Sequence, residues 1–174
     1  MNILTVNSNG LGKGDFKAPL IRKLVEKYKV DFLGIQESKR KNISNMTLKS
    51  IWGSHDFEAV IQDANGQGGG LISMWNKSLF HRTQAITRQD CIVIIGVLME
   101  TNEVIITINV YASQNPEARR EQRYFLNSIL ENRNHKKIIF GDFNEVRNEE
   151  ERRGSAFDAR GANSFNNFIQ TNDL

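Results

Sequence analysis

The chain has 174 residues, and its 39% hydrophobic content is enough to build one compact domain with a proper core. Lys and Arg total 23 against 20 Asp and Glu, which gives a formal net charge of +3, a mild basic excess compatible with a polyanionic partner. A single cysteine excludes an internal disulfide, and the apolar runs are too short to cross a bilayer, so we expect a soluble intracellular protein.

The first third of the chain has the pattern of two strands joined by a helix. A short apolar run, Ile3 to Val6, ends in the turn residues 7–10 and predicts a strand. Apolar residues at helical spacing predict an amphipathic helix near residues 16–29. The next apolar run, Phe32 to Ile35, stops at Gln36-Glu37. This order favours a crossover between two parallel strands.

The middle of the chain changes character after a polar stretch, Ser38 to Lys49. Five short strands follow, separated by turn residues: Phe57 to Ile61, Gly70 to Trp75, Leu79 to Ile86, Cys91 to Met99 and Val104 to Val110. The last two are joined by a tight hairpin connection at residues 100–103, so this region predicts an antiparallel block. Cys91 is predicted to be a small buried hydrophobe.

The last third mixes helices with one strand. Asn115-Pro116 is predicted to cap and open a helix, and Lys136 to Phe140 is predicted to be a strand. A charged loop, Glu149 to Arg153, precedes one more short helix around residues 165–169. Crossovers combined with an antiparallel meander favour a mixed α/β (α+β) fold with two packed sheets flanked by helices.

Four predicted strands end, at the carboxyl side, in residues able to bind a metal or to hydrogen-bond an oxyanion. These residues are Asn7, Glu37, Tyr111, and Asp142 together with Asn144. Ligand sites lie beyond the carboxyl ends of strands in open parallel sheets, so the side chains converge if the strands run the same way. Each residue also has a purely local interpretation. Asn7 could only shape its turn, and Glu37 could be a solvated residue at a strand end. Tyr111 could be a surface tyrosine whose hydroxyl contacts water, and Asp142 with Asn144 could form a turn after a buried strand.

Four short segments carry a resemblance to a known family. They are Asn7-Ser8-Asn9-Gly10-Leu11, Ile35-Gln36-Glu37, Asn109-Val110-Tyr111-Ala112 and Gly141-Asp142-Phe143-Asn144. In order and approximate spacing they resemble the motifs of the endonuclease/exonuclease/phosphatase superfamily. The resemblance implies a four-layer α-β-β-α sandwich in a single domain over residues 1–174.

Further stretches resemble one subgroup, the endonuclease domains of non-LTR, LINE-type retrotransposon polyproteins. They are Lys17, Gly69-Gly70-Leu71 with Trp75, Glu151-Arg152-Arg153-Gly154 and Phe165-Asn166-Asn167-Phe168-Ile169. The resemblance implies an enzyme that nicks one DNA strand and leaves a 3′-hydroxyl for reverse transcription. DNA is then the partner, no membrane is involved, the nucleus is the expected location, and a reverse-transcriptase region would follow in a full-length element.

The resemblance also implies a role for each candidate residue. Glu37 matches the family's metal-binding glutamate and would hold Mg²⁺, or Mn²⁺ as an alternative, since Mg²⁺ demands hard oxygen ligands. Asn7 would lie near the metal and the phosphate and is the alternative second metal ligand. Tyr111 would donate a hydrogen bond to the scissile phosphate. Asp142 would position or deprotonate the attacking water. Asn144 would hold the phosphate and order Asp142.

The family pattern continues with segments that this sequence lacks, namely Thr-Trp, a further aspartate and a Ser-Asp-His. The histidines present, His55, His81 and His135, all precede residues 141–144, and each is read as a solvated or locally satisfied imidazole. We therefore expect a domain about two strands short of the family's full pattern. Acid–base assistance contributes roughly 10²–10⁴-fold to a rate, so weak or absent activity of this chain follows.

Two other functions remain open on the sequence. The same hydrolytic core serves phosphomonoesterases and lipid phosphatases of the superfamily. A non-catalytic retroelement relic would retain at most weak DNA binding. Its candidate phosphate contacts are a set of basic residues that are otherwise read as a solvated face: Arg119, Arg120, Arg123, Arg152 and Arg153.

Overall fold

The computed structural model describes residues 1–12, 17–53, 56–66, 68–131, 135–154 and 156–174. The chain divides into two compact units, Met1–Tyr111 with His135–Asp142, and Ala112–Asn134 with Phe143–Leu174. The assignment of the whole chain to a single domain stays a prediction. Among the described helices, none has both the length and the apolar character needed to span a membrane.

The first unit contains eight described strands and two helices. In chain order they are β1 (Ile3–Asn7), α1 (Ala18–Lys27), β2 (Phe32–Gln36), α2 (Asn45–Trp52), β3 (Phe57–Gln62), β4 (Leu71–Asn76), β5 (Phe80–Arg88), β6 (Cys91–Leu98), β7 (Val104–Tyr111) and β8 (Lys136–Asp142). They form one sheet of order β1-β2-β4-β3 and a second of order β5-β6-β7-β8. Strand β1 is parallel to β2 and β7 is parallel to β8, whereas the other neighbours are antiparallel.

The predicted strand–helix–strand unit is confirmed in the described residues. Helix α1 buries Ala18, Ile21 and Val25, which recur at the spacing of one helix face. These residues pack in one hydrophobic cluster with Leu33 and Ile35 of β2, so α1 covers one face of the first sheet. The predicted helix start at residue 16 lies outside the described residues.

Helix α2 is not among the predicted elements, because it begins inside the polar stretch Ser38 to Lys49. Ser44 caps the helix by accepting a hydrogen bond from the Thr47 amide at 3.1 Å. Leu48, Ile51 and Trp52 are buried. These buried residues recur at helical spacing and pack in the same hydrophobic cluster as the buried residues of α1. Helix α2 therefore lies in the same layer as α1.

The predicted antiparallel strands are present, but they divide between the two sheets. Strands β3 and β4 pair in the first sheet, and β5, β6 and β7 pair in the second. The hairpin predicted at residues 100–103 joins β6 to β7. Cys91 at the start of β6 is buried as expected, and burial raises the pKa of its thiol to about 12, with neighbouring Asp90 adding to the effect.

The two sheets pack face to face around a core that combines aromatic and aliphatic side chains. Phe32, Trp75 and Phe80 are almost fully buried, and the Phe32 and Phe80 rings meet edge to face with centroids 5.0 Å apart. Gly34 of β2 marks the closest approach. A Cβ there would overlap the ring of Phe140 and lie 3.0 Å from Cγ of Asn109. The inter-sheet packing therefore requires glycine at this position.

The second unit is helical, with α3 (Pro116–Leu130), a 3₁₀ turn (Glu149–Glu151) and α4 (Ala159–Thr171). The predicted cap of α3 is confirmed, because Asn115 Oδ1 accepts from the amides of Glu117 at 2.8 Å and Ala118 at 3.2 Å. Helix α4 has 13 residues and is longer than the expected short helix. The described elements confirm the mixed α+β class with two packed sheets and helices.

Candidate active site

The structure brings together the four predicted strand-end residues of the first unit. The parallel register pairs Asn7 with Gln36, so Asn7 lies beside Glu37 at one edge of the first sheet. In the second sheet, the parallel register pairs Tyr111 with Asp142. Parallel strands present their carboxyl ends on the same side, which is why residues far apart in sequence meet here.

Asn7 links carboxylates from both sheets. Its amide nitrogen Nδ2 donates to Glu37 Oε1 at 3.1 Å and to Asp142 Oδ2 at 2.7 Å. Its Oδ1 accepts from the Asn9 amide at 3.0 Å, and this local bond fixes the orientation of the side chain. The amide therefore separates two like charges and holds both carboxylates at the same edge.

Tyr111 also contacts Glu37, because its hydroxyl donates a hydrogen bond to that carboxylate. Partial burial raises the pKa of Tyr111 to about 12, and the hydrogen bond to Glu37 and the negative charges of Glu37 and Asp142 add to the effect. The phenol therefore stays protonated at neutral pH. It can serve as a donor but not as a base.

Glu37 accepts hydrogen bonds from three side chains. Burial alone would raise its pKa, but hydrogen bonds from Asn7, Lys39 and Tyr111 outweigh burial and lower the pKa below its ordinary value. Its backbone has a φ of +52°, a left-handed conformation that is uncommon for a glutamate. That conformation turns the chain sharply at the end of β2, where the Glu37 side chain leaves the sheet.

The turn after β1 is fixed to the end of β2. The Ser8 hydroxyl lies 3.1 Å from the Gln36 carbonyl and 2.8 Å from that of Glu37, and the Gly10 amide donates to the Glu37 carbonyl at 2.6 Å. The Lys17 ammonium donates to the Ser8 carbonyl. Asn7 and Glu37 therefore sit on two turns that support each other.

A buried polar chain lies beneath the site. Gln36 Nε2 donates to Asn109 Oδ1 at 2.6 Å, and Asn109 Nδ2 donates to the Ile72 carbonyl at 3.0 Å and lies 3.2 Å from Ser73 Oγ. Both amide side chains are about 1% exposed. Gln36 precedes Glu37, and Asn109 lies two residues before Tyr111. The pair therefore ties together the two strands that carry these site residues.

Asn144 belongs to the second unit, two residues after Asp142 in the chain. Its Nδ2 donates to the Ala112 carbonyl at 2.6 Å, and its φ of +50° gives it a turn conformation that asparagine tolerates. The structure thus fixes the side chain of Asn144 to the residue that follows β7.

Glu145, the next residue, is held by two arginines of α3. The Arg119 guanidinium lies 3.0 Å from Glu145 Oε1, Arg123 pairs with Oε2, and the Glu145 side chain is 6% exposed. A cavity of about 490 Å³ is lined by Asn144, Arg119, Glu145, Arg152 and Asp158, together with the first turn of α4. Arg119 and Arg123 are internal ion-pair partners, so neither belongs to the solvated face that the sequence predicts as the alternative to phosphate binding.

The donor atoms fit a hard divalent cation. Glu37 and Asp142 supply carboxylate oxygens on either side of Asn7, and Mg²⁺ typically takes one or two carboxylates while it keeps several waters. Within the described ranges, no group of three His, Cys, Asp or Glu side chains could hold a metal by itself. Two carboxylates would leave the remaining coordination positions of such a cation to water and substrate oxygens.

Sequence reasoning missed the partners that position the site. Lys39 lies 3.1 Å from Glu37 Oε2, and the Gln36–Asn109 pair lies beneath the site. A buried Arg–Glu–Arg group in the second unit was also missed. Lys39 stands two residues after Glu37, but nothing local distinguishes it from a solvated lysine.

His81 lies in β5 and His135 before β8, whereas His55 lies outside the described residues.

Two packed sheets carry carboxylates, an amide and a phenol that meet at their strand ends. The sequence matches the endonuclease/exonuclease/phosphatase family over residues 4–171. The chain belongs to this family, whose members are hydrolases. No curated protein sequence matches the chain significantly.

Solved structures share the fold at low sequence identity. A 3′–5′ exonuclease from Neisseria meningitidis is 17% identical with a TM-score of 0.72, over 98% of this chain and 71% of that one. An AP endonuclease from Leishmania major is 18% identical with a TM-score of 0.69, over 97% and 65%. A mannosyl-6-phosphatase from Bacteroides thetaiotaomicron is 13% identical with a TM-score of 0.64, over 84% and 67%.

Proposed function

We propose that the chain is a divalent-metal-dependent phosphodiesterase that nicks one strand of DNA and leaves a 3′-hydroxyl. The observation that carries the proposal is the contact of Asn7 with both Glu37 and Asp142, at 3.1 and 2.7 Å. It places two carboxylates at one edge, together with a phenol that stays protonated. Such a group can bind a metal, position a water and donate to a phosphoryl oxygen.

Each residue then has a distinct task. Glu37 holds Mg²⁺ or Mn²⁺, and its lowered pKa keeps the carboxylate ionised and ready to bind. When bound, the metal offsets charge that develops on the phosphoryl oxygens and the leaving group. Asp142 orients the attacking water or accepts its proton. Tyr111 would redirect its hydrogen bond from Glu37 to a phosphate oxygen once Glu37 binds the metal, and such a donor contributes most in the transition state. Asn7, whose two amide hydrogens are donated to Glu37 and Asp142, keeps both carboxylates in position near the phosphate.

Asn144 is proposed to contact the phosphate as well. Its side chain is oriented by the bond from Nδ2 to the Ala112 carbonyl, and the neighbouring Glu145 is fixed by arginines of α3. The residue therefore has a defined conformation before substrate binds, which lowers the cost of ordering it.

DNA is proposed as the substrate on the subgroup motifs, with support from the mild basic excess of the chain. Two of the similar structures are, by name, an exonuclease and an AP endonuclease. The motif resemblance to LINE-type elements makes retrotransposition the proposed setting and the nucleus the proposed location, with a reverse-transcriptase region downstream in a longer product.

A phosphomonoesterase of the same family is the second candidate. The fold similarity to a mannosyl-6-phosphatase favours it, since the residues that handle a phosphoryl group serve monoesters and diesters equally. Contacts outside the phosphate site decide between the two substrate classes.

A nicking assay tests the first candidate. Protein in excess over supercoiled plasmid, with Mg²⁺ or Mn²⁺ and an EDTA control, makes even slow cleavage visible as a single relaxed band. Glu37→Gln and Asp142→Asn should each reduce nicking by roughly 100-fold or more. Glu121→Gln and Asp173→Asn remove the same charges from exposed positions and should leave nicking unchanged.

The same preparation is assayed for release of inorganic phosphate from mannose 6-phosphate. Phosphate release that depends on Glu37, without nicking, would replace the nuclease by the monoesterase. Nicking that survives Glu37→Gln would refute the metal assignment. Neither activity above the EDTA control, with the protein folded, would identify a non-catalytic relic.

A further inference from the structure

The backbone of Lys39 is fixed in place while its side chain reaches across the site. Its amide donates to the Gly69 carbonyl at 2.9 Å, and its φ of +51° turns the chain for a second time after Glu37. The aliphatic part of the side chain lies over the turn after β1, where a Cβ on Gly10 would be 3.4 Å from Lys39 Cδ. This path carries the ammonium back to the carboxylate two residues earlier.

The ammonium occupies one side of the Glu37 carboxylate. It lies 3.1 Å from Oε2, whereas Asn7 donates to Oε1, and it also donates to Asn9 Oδ1. The lysine side chain is 36% exposed and that of Glu37 is 19% exposed. Lys39 can therefore swing away from Glu37 without disturbing buried packing, and Asn9 keeps it near the site.

A divalent cation and an ammonium compete for the same carboxylate oxygen. Two positive charges at that distance repel each other, so a metal that binds Glu37 weakens the attraction that holds Lys39 there. The next group to enter the site is an anionic phosphate, which is the natural acceptor for a displaced ammonium. The Lys39 ammonium would then face a negative group both before and after metal binding, first the Glu37 carboxylate and then the phosphate.

We propose that Lys39 exchanges partners: its ammonium pairs with Glu37 in the metal-free protein and with a phosphoryl oxygen of the substrate once a divalent metal has taken Glu37. This inference rests on the proposed metal site at Glu37. It makes Lys39 a substrate-binding residue whose contribution to metal binding is negative.

Two equilibria measured on the full chain test the exchange. Mn²⁺ affinity is followed by electron paramagnetic resonance of the free ion, and phosphate affinity by ³¹P line broadening of inorganic phosphate on the Mn²⁺-loaded protein. Lys39→Met should raise Mn²⁺ affinity roughly two- to fivefold, the range of exposed ion pairs. The same variant should lower phosphate affinity by roughly fivefold or more.

Two variants serve as controls. Lys39→Arg keeps the charge and should stay close to the original protein in both measurements. Lys41→Met removes an equal charge from an exposed position two residues away and should change neither affinity appreciably.

Opposite shifts for Lys39→Met are the expected result. A loss of both affinities would show that Lys39 only holds the turn in shape, and no change in either would remove it from the site. If Glu37→Gln leaves Mn²⁺ binding intact, the metal site at Glu37 is wrong and the exchange falls with it. If Glu37→Gln abolishes binding but Lys39→Met does not raise it, only the exchange is refuted.

Discussion

Asn7 donates from a single amide nitrogen to Glu37 of the first sheet at 3.1 Å and to Asp142 of the second sheet at 2.7 Å. A neutral donor between two carboxylates reduces the unfavourable electrostatic energy of holding them near each other. The carboxylates are therefore held in place before any ligand binds, and Asn7 is the side chain that contacts both of them.

Asn7→Asp should convert this support into repulsion. Three carboxylates would then face one another, so the free energy of unfolding without divalent ions should fall by roughly 1–3 kcal/mol. Mn²⁺ should restore more stability to this variant than to the original protein, because the metal neutralises the added charge. Urea unfolding with and without Mn²⁺ measures both effects.

Asn163→Asp is the matched control for that substitution, since Asn163 is exposed on α4. It should change stability by no more than about 0.5 kcal/mol, the usual range for surface positions. An Asn7→Asp variant as stable as this control in EDTA would contradict the proposed bridge between the carboxylates.

Tyr111→Phe should make metal binding more sensitive to acid. The Tyr111 hydroxyl is one of three donors that lower the pKa of Glu37, so its removal moves that pKa back towards the ordinary value of 4.5. A lowered pKa keeps the carboxylate ionised as pH falls, and binding is lost only near the folded pKa. The acid limb of Mn²⁺ binding should therefore shift to higher pH.

A titration of Mn²⁺ affinity between about pH 2.5 and 5.5 covers the relevant window, which lies around and below the ordinary carboxyl pKa. Tyr124→Phe is the control, because Tyr124 is 68% exposed on α3. Coincident acid limbs for Tyr111→Phe and the original protein would show that the phenol does not stabilise the ionised Glu37.

The sequence predicted the strands and their polar ends far better than it predicted the contacts between them. Asn7, Glu37, Tyr111 and Asp142 each follow an apolar run, which is a local signal. The partners of Glu37 depend on φ angles near +50° at Glu37 and Lys39, which redirect the chain in a way no periodicity shows. Helix α2 was missed for a related reason, since polar residues in its first turn obscured its apolar face.

Replacing one partner of the Gln36–Asn109 pair should lower the free energy of unfolding. Asn109→Leu leaves the buried amide of Gln36 without an acceptor, and Gln36→Leu leaves Asn109 Oδ1 without that donor. Each variant should lose roughly 2–4 kcal/mol of unfolding free energy, because an unsatisfied buried polar group carries its full desolvation cost.

The double variant tests whether the lost stability comes from the buried polar group that each single variant leaves unsatisfied. Replacing both amides removes the unsatisfied groups together, so its cost should be at least about 1 kcal/mol less than the sum of the single costs. Urea unfolding of all four proteins gives this coupling energy directly. Strictly additive costs would mean that the two amides stabilise the fold independently.

Glu145→Gln should destabilise the second unit, since Glu145 is the shared partner of Arg119 and Arg123. The Arg119 side chain is 8% exposed and that of Arg123 is 13% exposed, so loss of the carboxylate leaves two poorly solvated cations near each other. Breaking a buried pair typically costs roughly 3–5 kcal/mol, and the Arg119 bonds to the Ser113 and Gln114 carbonyls would offset part of this.

The Glu145→Gln substitution should also loosen Asn144, which precedes Glu145 and donates a hydrogen bond to the Ala112 carbonyl. Faster hydrogen exchange of the Asn144 side-chain amide in Glu145→Gln, measured by NMR, would show that the arginine pair orients this proposed phosphate contact. Glu149→Gln changes an exposed carboxylate in the 3₁₀ turn and should leave both stability and exchange unaltered. Equal exchange rates in all three proteins would show that Asn144 is held without the help of α3.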